Sequence, residues 1–170
     1  MSKRNLKKYL KDLKKAQLEA QILDLYERFK EVKAYYDFAF NPKEEKLLEE
    51  SKFKISKEYF PVSSRKAKLR RSVAQKIIKN CILLQVDPQV LSEIMLFNIE
   101  IAITYNEEKS IKQESFYTSM LKSFIETLEY LDKHRLYSEY ENRIKSIVEK
   151  VYKLNWFNYR AFEQAIDSRS

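Results

Sequence analysis

Apolar positions recur at intervals of three and four along almost the whole chain, the spacing of one face of an α-helix. Leu6, Tyr9, Leu10 and Leu13 follow a capping serine, Ser2, and predict a short first helix over 5–13. Leu18, Ile22, Leu25, Tyr26, Phe29, Val32 and Tyr36 predict one long amphipathic helix over 16–40. Asn41, Pro42, Glu44 and Glu45 then read as an N-cap, a proline at the first helical position and an acidic first turn. That helix runs to Phe60, with Leu47, Leu48, Ile55 and Tyr59 (and Phe53 more weakly) on its apolar face, and Pro61 ends it. After a connection over 61–68, Val73, Ile77, Ile78, Cys81 and Leu84 mark the inward face of a helix from Leu69 to Gln85. Asp87-Pro88 repeats the cap-plus-proline start. The helix it opens, to Tyr105, is the most apolar in the chain and is expected at the centre of the core. Its narrow outer face is Glu93, Phe97, Glu100 and Thr104. A helix to Lys133 carries Phe116, Met120, Phe124, Leu128 and Leu131 inward, and 136–154 and 156–166 complete the set.

The expected fold is therefore all-α: about eight helices stacked as antiparallel hairpins in one compact bundle, a single domain over 1–170. The alternation of helix and short turn also suits a helical-repeat arrangement, although no clean repeat stands out. Composition sharpens this reading at one point. Glycine is absent, whereas an average chain of this length holds roughly a dozen. Without glycine there is no P-loop, no dinucleotide-binding fingerprint and no glycine-flanked nucleophile elbow. Tight primed hairpin turns lose their usual residue as well, which leaves helices.

The single cysteine, Cys81, and the single histidine, His134, supply neither an intrachain disulfide nor a Cys/His zinc set. No run approaches 18 apolar residues, so no membrane partner is expected. The first fifteen residues are basic and lack the apolar centre of a secretion signal; one arginine and one serine argue against a mitochondrial-type presequence. A reducing cytoplasm fits these features.

Lys3-Arg4-Asn5-Leu6-Lys7-Lys8-Tyr9-Leu10, Gln21-Ile22-Leu23-Asp24-Leu25-Tyr26 and Arg70-Arg71-Ser72-Val73-Ala74-Gln75-Lys76 resemble segments of a family of small, all-helical bacterial proteins of unknown function. Lys112-Gln113-Glu114-Ser115-Phe116-Tyr117 and Asn155-Trp156-Phe157-Asn158 resemble it too, so the likeness spans nearly the whole chain. It implies a bacterial, cytoplasmic protein and carries no functional residue across.

Charge is the one functional lead. The net charge is +8, but residues 1–15 hold a local +6 and residues 52–79 a local +9, which leaves the rest of the chain at −7. The densest stretch is Arg65, Lys66, Lys68, Arg70 and Arg71, at a loop and the start of the following helix. Cations there meet the positive end of the helix dipole. An anion would gain from the same free backbone N–H groups and guanidinium forks. Ser63, Ser64 and Ser72 add hydroxyl donors. These five cations are the candidate anion-binding residues, within a binding region spanning 61–79. The bland alternative is a solvated loop, and the tandem aromatics of a base-stacking platform are missing. The N-terminal lysines read as a solvated helix face or as an extension of the same patch.

The catalytic inventory is thin. His134 suits a dipole partner at a helix C-terminus, and Cys81 lies on an apolar face. Glu44, Glu45, Glu49, Glu50, Glu107 and Glu108 could house a carboxylate-only magnesium site, but read more simply as solvated faces or first-turn residues. A helix-turn-helix over 70–105 would offer bases a recognition helix of Ile, Leu, Met and Phe, which belongs in a core. Trp156, Phe157, Tyr159 and Phe162 suit a final helix docked on the bundle, or else an exposed partner surface. No cofactor, metal or enzymatic activity is expected. The expected role is a binding module for nucleic acid or another polyanion. The alternative is a protein-interaction scaffold, with a protein partner or a homo-oligomer.

Overall fold

The computed structural model describes residues 2–63 and 66–167. The described residues form helices and no strand, as the periodicity requires. The helices are α1 Lys3–Lys11, α2 Lys15–Arg28, α3 Lys30–Phe40, α4 Glu44–Tyr59, α5 Arg71–Leu84, α6 Pro88–Glu108, α7 Glu114–His134, α8 Tyr137–Lys153 and α9 Tyr159–Asp167. They fall into two compact units, Met1–Lys43 and Glu44–Ser170.

In the first unit the long helix expected over 16–40 is two helices. Phe29 alone is extended, at φ −118° and ψ 115°, and both ends α2 and starts α3. The break brings Tyr26 and Asp37 together, and the Tyr26 hydroxyl donates to Asp37 at 2.6 Å. Eleven residues apart on one straight helix, these side chains would lie about 16 Å from each other. Asn41 also differs from expectation. Its N–H bonds to the carbonyls of Asp37 and Phe38, so it closes α3 rather than opening α4, which starts at Glu44. Proline after Asn41 disfavours helical backbone there, and Asn41 leaves the helix at φ −145° and ψ 70°.

In the second unit α6 is central, as its composition predicts, and packs against α4, α5, α7 and α8. Leu91, Ile94, Leu96, Ile99, Ala102 and Ile103 are all fully or almost fully buried. Truncating one of these leucines or isoleucines to alanine should cost about 2–5 kcal/mol. Phe116, Met120, Phe124, Leu128 and Leu131 of α7, Ile144, Ile147 and Val151 of α8 and Phe162 of α9 complete the buried core. The expected outer face of α6 is half-buried. Arg143 of α8 donates to both Glu100 carboxylate oxygens at 2.8 Å and to Glu93, and Lys52 of α4 reaches Glu93 at 3.3 Å. One ionic clasp thus ties α4, α6 and α8.

Helix ends normally closed by glycine are closed here by other residues. Gln85, Arg135 and Asn155 adopt left-handed backbone at φ 55°, 59° and 51°. The next residue in each case, Val86, Leu136 or Trp156, is buried and returns its N–H to Cys81, Leu131 or Val151. That is the Schellman closure. The left-handed residue costs about 1 kcal/mol relative to glycine, and burial of its apolar follower offsets that.

Candidate anion-binding site

The basic connection between α4 and α5 is folded back onto the end of α4 by one residue. Glu58 is the single acid in 52–79. Its carbonyl accepts the N–H groups of Lys68 and Leu69 at 2.9 and 3.1 Å. Its carboxylate accepts the Arg70 guanidinium fork, both bonds at 2.7 Å. That bidentate bond holds the Glu58 carboxyl below the ordinary carboxylate range and raises Arg70. Leu69, between them, takes a left-handed backbone at φ 53°, unusual for a branched side chain.

The five predicted cations do not form one free cluster. Arg65 lies outside the described residues. Arg70 is engaged by Glu58. Arg71, the first residue of α5, donates to Ser123 and to Glu126 of α7, both at 2.8 Å, with its side chain only 16% exposed. Both arginines are paired within the protein, although the Arg70 side chain stays about half exposed. Lys66 and Lys68 are exposed and form no ion pair among the described residues.

Lys66 joins two cations that are distant in sequence. An open cleft of about 820 Å³ separates the 60–69 connection from the turn between α6 and α7. Lys66, Lys109 and Lys112 line it, with Ser63 and Ser110, and among the described residues no carboxylate lines it. Its aromatic lining is Tyr59, Phe60 and Tyr105. The Tyr105 ring centroid lies 6.0 Å from Tyr59 and 5.6 Å from Phe60, and the Lys109 ammonium sits 5.4 Å from the same ring. Smaller clefts flank the connection, one lined by Lys57, Lys66, Lys68 and Arg70, another by Lys68 and Arg71.

The far wall of the main cleft is held from beneath. Asn106 donates to the Lys109 carbonyl at 3.1 Å, and the Trp156 indole fixes Asn106 at 2.7 Å. The Tyr117 hydroxyl donates to the Ile111 carbonyl at 2.6 Å, and Ile111 is buried. So the backbones of Lys109 and Lys112 are anchored while their ammonium groups stay exposed. The Tyr59 hydroxyl is buried and has no partner among the described residues. Burial pushes its pKa well above the ordinary tyrosine value.

Elsewhere the chemistry is quiet. The Cys81 thiol is fully buried and pushed up to about 11 by desolvation. His134 lies in the last turn of α7 with its ring 4.3 Å from that of Tyr130. Among the described residues no group of three or more His, Cys, Asp or Glu could hold a metal ion, and no helix is long and apolar enough to cross a membrane. Of the C-terminal aromatics, Trp156 and Phe162 are core and Phe157 is exposed.

The fold defines an all-helical protein with a lysine-lined cleft. The chain belongs to the family of unknown function DUF6155, whose model matches residues 1–169. Comparison with curated proteins and with solved structures found no match.

Proposed function

We propose that this protein is a non-enzymatic, cytoplasmic binding module for a polyanion such as nucleic acid, and that it engages phosphate groups through Lys66, Lys109 and Lys112. The carrying observation is the open cleft lined by these three lysines and, among the described residues, by no carboxylate. Lys68, exposed on the same connection, extends the positive surface. Arg70 and Arg71 contribute little while their guanidinium groups are bound internally. Tyr105 already carries Lys109 and the edge of Phe60, so recognition by charge is favoured over base stacking. Lysine suits this role as a point charge on a flexible stem.

The test is affinity for duplex DNA against salt, for wild type and for the variant K66A/K109A/K112A. Each lysine that neutralises a phosphate contributes about 0.9 to the log–log slope, so the variant should be flatter and weaker at low salt. Identical curves would refute the assignment of these residues.

One observation favours the alternative of a protein-interaction scaffold. A groove of about 350 Å³ is lined by Ile78, Ile82, Met95 and Tyr130 together with Lys79, Glu126, Glu129 and Lys133, and Ile82 is exposed in it. A protein partner held there would survive competition by heparin, whereas cleft binding would not.

A further inference from the structure

The geometry of α1 points to a second surface with a different partner: we propose that α1 lies in the plane of an anionic lipid membrane, through its leucine face and the lysines flanking it. Helix α1 holds Lys3, Arg4, Lys7, Lys8 and Lys11 and no acid, and Lys14 and Lys15 follow. At 100° per residue the cations fall on one side, and Leu6, Tyr9, Leu10 and Leu13 on the other. The apolar side is only partly covered inside the protein. Leu6, Tyr9 and Leu10 stay 45%, 49% and 37% exposed, and α1 has no buried residue. The Tyr9 hydroxyl accepts from the Gln21 side chain of α2 at 2.6 Å.

The charge selects the occupant. A second copy would bring an equally positive α1 against this one, and the two would repel. A nucleic acid would satisfy the lysines but leave the leucines in water. A membrane bearing acidic headgroups satisfies both, because leucine and tyrosine enter the acyl boundary while the lysine stems reach back to the phosphates. No spanning segment is needed, and the residues of this surface are not those of the cleft.

The experiment is sedimentation of the full chain with vesicles of phosphatidylcholine, alone or doped with phosphatidylserine. Binding to the doped vesicles should be stronger by about tenfold or more, and should fall with salt. The variant L6S/L10S should lose about tenfold in binding to the doped vesicles. Its circular dichroism should be nearly unchanged, because α1 has no fully buried residue. K7E/K8E should lose the preference for phosphatidylserine. K66A/K109A/K112A should bind vesicles like wild type, which separates this surface from the cleft. Absence of vesicle binding, equal binding to neutral lipid, full binding by L6S/L10S, or loss in the cleft variant would each overturn the proposal.

Discussion

Tyr59→Phe should stabilise this protein, an unusual sign for a substitution in a core. Tyr59 is 2% exposed, and its hydroxyl has no partner among the described residues. In the unfolded chain that hydroxyl is bonded to water, so burying it unpaired costs about 1–3 kcal/mol. Removing it recovers this cost, less a small loss for the space the oxygen filled. The expected gain is about 1 kcal/mol, or a Tm increase of about 3 °C for a unit of this size. Tyr117→Phe is the internal control. The Tyr117 hydroxyl donates to the Ile111 carbonyl at 2.6 Å, so its loss should cost about 1 kcal/mol. Urea and thermal unfolding of both variants at neutral pH measure the two signs. Alkaline titration adds a second axis. The folded-state pKa of Tyr59 is raised, so its contribution is present below the unfolded value of about 10 and is lost as pH rises beyond it. Wild type should lose stability more steeply than Tyr59→Phe above that pH. A Tyr59→Phe variant destabilised by about 1 kcal/mol or more would refute the reasoning, because the hydroxyl would then have a partner in solution.

Further outcomes follow from the ion pairs and the thiol. Arg143→Met removes the centre of the α4–α6–α8 clasp and leaves Glu93 and Glu100 facing one another; chemical unfolding should show a loss of about 2 kcal/mol, partly recovered by adding Glu100→Gln. Glu58→Gln frees Arg70, so the salt slope for duplex DNA should steepen by about 0.9 if the freed guanidinium engages a phosphate. Because the folded-state pKa of Glu58 is depressed, its contribution is present above the ordinary carboxylate range and lost as pH falls through that depressed value. Wild type should therefore lose stability toward acid more steeply than Glu58→Gln in pH-dependent melts. A thiol reagent should leave Cys81 unlabelled in native protein and label it on unfolding, since the thiol is fully buried with its pKa raised.

What the sequence made legible was whatever depends on local periodicity. The central place of α6 follows from Leu91, Ile94 and Ile99, and its proline start from Asp87, whose side chain accepts the Gln89 N–H at 2.8 Å. The break at Phe29 was invisible because the apolar spacing continues through it and neither glycine nor proline marks it. The fate of the basic residues was invisible for another reason. Charge density along a chain says nothing of which carboxylate each cation meets. Glu58 lies twelve residues from Arg70, but Glu126 lies fifty-five from Arg71. Lys109 and Lys112 stand among Glu107, Glu108 and Glu114, so their stretch looks neutral. Only the fold turns those acids away from the cleft lining. The apolar Ile111 between the two lysines was the available sign, since a buried residue inside a polar turn pins that turn.

The glycine-free helix ends make the punctuation of this chain conditional. A glycine would stop a helix by its own backbone preference. Here Arg135 has no such preference, and the stop between α7 and α8 depends on Leu136 finding its place in the core. If that place were lost, nothing local would forbid helix from continuing through 135 and 136. The two helices would then merge into one rod of about 60 Å, too long to fold back on α6. Secondary structure at this joint is thus an outcome of tertiary packing, and the hairpin and the core it encloses must form together.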